Sequence, residues 1–86
     1  MWFVYILETR AGTLYTGITN NLSQRMIDHK KGRGARFTRS FGFRKLLYNR
    51  RCLTKSTALK RESQIKKMTR REKILLIAAY QDSKES

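Results

Sequence analysis

The 86-residue chain has one cysteine, one histidine and no proline. A single thiol, Cys52, excludes an internal disulfide framework and any cysteine-rich zinc site. A single imidazole, His29, excludes a multi-histidine metal cage. No stretch approaches the roughly 18 consecutive apolar residues of a membrane span. The apolar opening Met1-Trp2-Phe3-Val4-Tyr5-Ile6-Leu7 lacks the basic leader and small-residue cleavage site of a signal peptide. The expectation is a cytoplasmic protein with no membrane partner. Acid is also scarce: six Asp+Glu stand against 20 Lys+Arg, a formal net charge of +14. Hydrophobic residues still make up 40%, enough for a folded core, so wholesale disorder is excluded. The length allows one domain, which buries only about 60% of its unfolded surface.

The positive charge is concentrated. Residues 1–20 are neutral, and residues 21–52 carry ten basic residues against one Asp, net +9. Residues 53–73 add eight basic residues against two Glu, and residues 74–86 are net −1. A neutral opening and a basic middle fit a scaffold with one charged face. Self-repulsion of this size destabilises a compact chain, and a polyanion offsets it. The basic middle lacks the Trp/Phe/Leu face of an interfacial membrane helix.

Aromatic and β-branched residues from Trp2 to Glu8 read as a strand, Thr9-Arg10-Ala11-Gly12 as a turn, and Thr13 to Ile18 as the second strand of a hairpin. A turn centred near residues 10–11 sets Tyr5 almost opposite Tyr15, with Gly17 leaving open space beside that phenol. Thr19-Asn20-Asn21 supplies N-cap chemistry for a helix to about Lys31, on which Leu22, Arg25, Met26 and His29 share one face. Gly32 and Gly34 end it. Ala35 to Phe43 reads as a basic loop interleaved with Phe37, Phe41 and Phe43, and Leu46-Leu47-Tyr48 as a third strand. Thr54 or Ser56 caps a helix to about Met68, with Ala58, Glu62 and Ile65 on its inward stripe. Thr69 and Glu72 form a capping box for a last helix, Ile74 to Tyr80, apolar on nearly all sides and expected to be buried. Residues 81–86 read as a polar, frayed tail. The order β-β-α-β-α-α implies an α+β fold, a small three-stranded antiparallel sheet flanked by helices.

Glu62 is the most informative residue. A carboxylate on an apolar helix face either pairs with an arginine as a structural ion pair or holds a cation. One carboxylate with phosphate oxygens and waters is a common way to hold Mg²⁺. Tyr5, Tyr15, Arg25 and His29 taken singly fit packing or surface roles. Together with Glu62, beside a basic surface, the two phenols, guanidinium and imidazole suit phosphodiester hydrolysis.

These residues, with their spacing, resemble the GIY-YIG nuclease superfamily, most closely its small stand-alone bacterial members. Phe3-Val4-Tyr5 matches the first motif with its tyrosine kept and its glycine replaced, and Tyr15-Thr16-Gly17 matches the second. Arg25 follows Tyr15 by ten residues, and His29 follows Arg25 by four. Gly32-x-Gly34-Ala35-Arg36-Phe37-Thr38 resembles the loop those small members carry, and Ala58-x-x-x-Glu62-x-x-Ile65-Lys66 the helix bearing the family's metal-binding glutamate. The match covers residues 2–80, giving a single domain over 1–80 followed by the tail. The asparagine many members carry after the last helix has no counterpart in Ala79-Tyr80-Gln81-Asp82.

The resemblance implies an endonuclease dependent on Mg²⁺ or Mn²⁺. By that likeness Tyr5 or Tyr15 would orient or deprotonate the attacking water, Tyr5 being the choice for the base and Tyr15 its partner, and the surrounding positive charge would help a phenol of ordinary pKa near 10 to ionise or share a proton. Arg25 would stabilise the transition state, His29 would assist proton transfer or position the phosphate, Glu62 would bind the metal, and Gly17 is the motif glycine. The basic face is assigned to Lys30, Lys31, Arg33, Arg36 and Arg39, then Lys66, Lys67 and Arg70. Arg50 and Arg51 make the third strand unusually basic. Phe37 is either a base-stacking residue or a packing one. The two functions in view are a DNA endonuclease acting on structured or single-stranded DNA in repair or recombination, and a non-catalytic DNA- or RNA-binding module. Targeting would come from DNA structure, a homodimer or a protein partner.

Overall fold

The computed structural model describes residues 1–85. Its elements are β1 (Trp2–Glu8), β2 (Leu14–Thr19), α1 (Leu22–Lys30), α2 (Arg36–Phe41), β3 (Lys45–Cys52), α3 (Lys55–Lys66) and α4 (Arg70–Glu85). The three strands form one antiparallel sheet in the order β2-β1-β3, the expected α+β architecture.

β1 is the central strand and is covered on both faces. Val4, Tyr5, Ile6 and Leu7 are all wholly buried, which accounts for a continuous apolar run where a one-sided strand would alternate. On one face Val4 and Ile6 join Tyr48 and Cys52 of β3, Ala58 and Ile65 of α3 and Ile77 of α4. On the other, Tyr5 and Leu7 pack with Met26 of α1, bordered by Tyr15, Leu22, Phe43 and Leu46. A register shift lets β3 serve both. Ile6 pairs with Tyr48 but Leu7 pairs with Leu46, so Leu47 is the extra residue of a bulge. Tyr48 and Leu46 thereby reach opposite faces although they are two residues apart.

Caps set the helix starts. The Asn21 side chain accepts from Gln24 N, and Thr54 Oγ1 accepts from Thr57 N. The capping box forms as expected: Glu72 N donates to Thr69 Oγ1, and Thr69 N donates to the Glu72 carboxylate. That contact holds the Glu72 carboxyl below its usual range.

Four sequence expectations are corrected. The hairpin register pairs Tyr5 with Gly17, and Tyr15 with Leu7, because the turn bonds run Thr9 N to Thr13 O and Gly12 N to Thr9 O, farther along the chain. The stretch read as a basic loop contains α2. This short helix has no side-chain cap and is held by tertiary contacts of Phe37 and Thr38, which local propensity does not reveal. The last helix is not buried all round: Ile77 is buried, while Ile74 is 48% and Leu75 61% exposed, since α4 touches the sheet along one stripe only. The polar stretch after Tyr80 continues α4 to Glu85 rather than fraying, and Ser86 lies outside the described residues.

Candidate active site

The site is built on the Tyr5 face of the sheet. Gly17 lies directly across from Tyr5 on β2, and the Tyr5 ring runs over it. A methyl group on Gly17 would sit 2.6 Å from Tyr5 Oη and 2.8 Å from Cζ, so only glycine leaves room for the phenol. Tyr15, two residues before Gly17 on the same face, puts its ring centroid 6.3 Å from that of Tyr5.

α1 presents His29 and Arg25 to this phenol from successive turns. His29 Nε2 is 2.8 Å from Tyr5 Oη, and Arg25 Nε donates to the same oxygen at 3.4 Å. His29 Nδ1 is 2.7 Å from Thr38 Oγ1. The Thr38 hydroxyl donates its one proton to Ala35 O at 3.1 Å, so it accepts from His29. Nδ1 therefore carries the imidazole proton, and Nε2 accepts from the Tyr5 hydroxyl. The result is one directed chain: Arg25 donates to Tyr5, Tyr5 to His29, His29 to Thr38, and Thr38 to a backbone carbonyl. Gly34 backs the imidazole, where a methyl group would come within 2.5 Å of Nδ1.

Electrostatics agree with that direction. Burial, reinforced by the Arg25 charge, pushes His29 down to about 4, so the ring is neutral near pH 7. Burial raises the Tyr5 phenol above its ordinary value and outweighs the opposing Arg25 hydrogen bond; Tyr15 and Glu62 raise it further. The expectation that surrounding positive charge eases ionisation of Tyr5 is thus corrected: desolvation wins. The Tyr5 bond in turn strengthens the hold of Arg25 on its proton.

Burial also separates the residues by access. Tyr5 is 0% and His29 1% exposed, whereas Tyr15 and Arg25 are half-buried. Tyr5 and His29 therefore lie in the interior, and of the two phenols Tyr15 is the one with solvent access. Phe37 stacks on Tyr15 at 5.6 Å and packs against Phe41 at 4.9 Å, so in this structure its ring partners are protein side chains.

Glu62 stands on α3, the helix whose Ala58 and Ile65 pack into the core on the opposite face of β1. Its charge is the smallest of the influences that raise the Tyr5 phenol. Its side chain is 19% exposed and meets Lys66 Nζ at 3.5 Å, an i,i+4 surface pair rather than a buried arginine bridge. Among the described residues no three His, Cys, Asp or Glu side chains gather in one place. A divalent ion would have Glu62 as its single protein carboxylate, a hard oxygen ligand that suits Mg²⁺ when phosphate and water complete the shell.

Lys30, Lys31, Arg33, Arg36 and Arg39 are all exposed, running from the end of α1 through α2 on the His29 side. Lys66, Lys67 and Arg70 are exposed where α3 meets α4, and Arg70 Nη2 donates to Gly12 O of the hairpin turn. Thr38 and Gly34 carried no assigned role in the sequence reading. Their signal was the loop pattern Gly32-x-Gly34-Ala35-Arg36-Phe37-Thr38 itself, whose glycine and threonine turn out to seat the imidazole.

The GIY-YIG catalytic domain matches residues 1–74. The UPF0213 protein OB0043 of Oceanobacillus iheyensis is 45% identical over 75 residues, 87% of each chain. The UPF0213 protein CPE1444 of Clostridium perfringens is 43% identical over 86 residues, covering all of this chain and 92% of its own. The solution NMR structure of the UPF0213 protein BH0048 from Bacillus halodurans superposes with a TM-score of 0.60 at 35% identity, over 92% of this chain and 85% of that one. Fold, motif spacing and these likenesses agree that the chain belongs to the GIY-YIG family, within a nuclease superfamily and beside the small UPF0213 proteins of bacteria.

Proposed function

We propose that the chain hydrolyses phosphodiester bonds of DNA as an endonuclease dependent on Mg²⁺ or Mn²⁺. The observation that carries this reading is the arrangement around Tyr5. A half-buried guanidinium is fixed by its Nε on the buried phenol, a second phenol with solvent access lies 6.3 Å away ring to ring, and Glu62 has only the surface Lys66 as its ion-pair partner.

In this reading Tyr15, the phenol with solvent access, is the base: once its own proton has passed to solvent, the phenolate orients the attacking water and takes its proton. Arg25 spends Nε on Tyr5, which fixes the guanidinium plane and leaves its terminal nitrogens to stabilise charge on the pentavalent phosphorus. Tyr5 and His29 are positioning residues: the chain through Thr38 to Ala35 O holds Tyr5, and Tyr5 holds Arg25. Glu62 would hold the divalent ion, which when bound supplies positive charge to the phosphate. The exposed cations of α1 and α2 bind the nucleic-acid backbone. A single domain over residues 1–80 suffices for this set.

The test is cleavage of duplex, single-stranded, nicked and branched DNA and of RNA by the purified chain, with and without Mg²⁺ or Mn²⁺. Glu62→Gln and Arg25→Ala are expected to lose at least 10²-fold in rate while still binding DNA. Full activity of Glu62→Gln removes the metal-ligand role. Binding without cleavage of any form by the unmodified chain favours the non-catalytic module instead.

A further inference from the structure

A second cationic feature lies apart from the residues around Tyr5. Between the end of β3 and α3 is a cavity of about 460 Å³ whose lining includes Arg50, Arg51, Thr57, Lys60, Arg61 and Gln64. On α3 these positions follow the i, i+3, i+4, i+7 spacing of one helix face, a different face from that of Glu62. Arg50 pairs with Val4 across the sheet and so belongs to the face opposite Tyr5.

Cys52 and Leu53 complete the wall, and its charged groups are all donors. It holds four cations and no carboxylate, and none of the four forms an ion pair among the described residues. Arg61 Nη1 donates to Gln64 Oε1 at 3.1 Å, which uses the acceptor of that amide and leaves its N–H₂ to donate. Arg61 Nε is shielded from solvent and has no hydrogen-bond partner. An unmatched donor beside three further cations is costly in the absence of an anion. No aromatic ring lines the cavity, so a nucleobase finds no stacking surface there.

We propose that the β3–α3 cavity is a second phosphate-binding site, and that it takes backbone phosphates of the same nucleic acid the catalytic face engages. This rests on the nucleic-acid reading above, though not on catalysis. The molecule spans only about 30 Å, and the cavity lies at the β3 edge of the sheet, with Arg50 and α3 on the face opposite Tyr5 and Arg51, paired with Phe3, on the Tyr5 face. A straight duplex lying along the α1–α2 face does not also fill it; a wrapped single strand or a second arm of a branched molecule does.

The test is fluorescence anisotropy of the full chain in EDTA, so that no cleavage intervenes. Labelled straight duplex, single-stranded and Y-shaped DNA are titrated across a salt series, with inorganic phosphate and a deoxymononucleotide as competitors. In Arg50→Gln/Arg61→Gln the slope of log affinity against log salt should become shallower by about 1.4–1.8 for single-stranded and Y-shaped DNA, at about 0.7–0.9 per lost contact. For straight duplex it should hardly change. Lys60→Glu, at an exposed position, repeats the measurement if the double variant lacks a cooperative thermal transition. Unaltered slopes for every DNA form in a folded variant overturn the proposal. Competition by mononucleotide that is lost in the variant while DNA slopes stay fixed also overturns it, assigning the cavity to free phosphate compounds. A chain that binds in this way yet never cleaves sinks the nuclease reading and leaves this one standing.

Discussion

Gly17→Ala tests how tightly the candidate site is built. The added methyl would lie 2.6 Å from Tyr5 Oη and 2.8 Å from Cζ. Comfortable contacts begin near 3.5 Å, so the phenol must retreat by about 0.7–0.9 Å. It has little freedom to do so: the residue is wholly buried and its oxygen is held by His29 Nε2 at 2.8 Å and Arg25 Nε at 3.4 Å. Overpacking of a filled core costs about 1–3 kcal/mol, and loss of the Tyr5–His29 bond about 0.5–1.5 kcal/mol more. The expected destabilisation is about 2–4 kcal/mol, a large part of the roughly 4–13 kcal/mol available to a domain of this length. In thermal denaturation followed by circular dichroism the midpoint should fall by roughly 10–30 °C. A Tyr5→Leu background removes the two closest atoms and leaves Tyr15 Cε2 at 3.1 Å, so there Gly17→Ala should add less than about 1 kcal/mol. A midpoint within about 3 °C of the unmodified protein, or equal penalties in the two backgrounds, would refute the close-contact argument.

Two further outcomes follow from the same residues. His29 is the sole histidine and titrates at about 4 in the fold against about 6.5 unfolded, so the unfolded chain takes up its proton first. Its contribution is complete above about pH 6.5 and is lost as pH falls towards 4, by about 2 kcal/mol between pH 7 and 5. Urea midpoints should drop across that window in the unmodified protein but not in His29→Gln; a flat profile in the former contradicts the buried neutral ring. Nitrogen NMR should find the imidazole proton on Nδ1, and Thr38→Val, which removes its acceptor, should cost about 1–3 kcal/mol and disturb that tautomer. A proton on Nε2 in the unmodified protein reverses the direction of the whole chain.

Much of this was legible before any coordinates. Strands declare themselves by β-branched and aromatic runs, and the caps at Asn21, Thr54 and Thr69 follow from side-chain chemistry within three residues. The shared face of Arg25 and His29 is a consequence of helical spacing alone. What escaped depends on contacts distant in sequence. The six residues of α2 lack any local cap and are stabilised by Thr38 on His29 and Phe37 on Tyr15. Hairpin register turned on two turn bonds, and that shift moved Tyr5 from beside Tyr15 to above Gly17. The apolar run Ile74-Leu75-Leu76-Ile77 suggested full burial, yet composition does not reveal how many neighbours a helix will find. Nor does sequence separate the phenol that meets solvent from the one sealed beneath it.

Tyr5 and its neighbours Val4 and Ile6 share one backbone, with successive side chains committed to separate cores. The strand is therefore a common wall between two rooms. A substitution at Ile77, in the far core and away from the residues around Tyr5, displaces Val4 or Ile6 and with them the peptide planes that aim the phenol. Loss of function in such variants should accompany loss of rigidity in the wall, and repair of the far room should restore the near one.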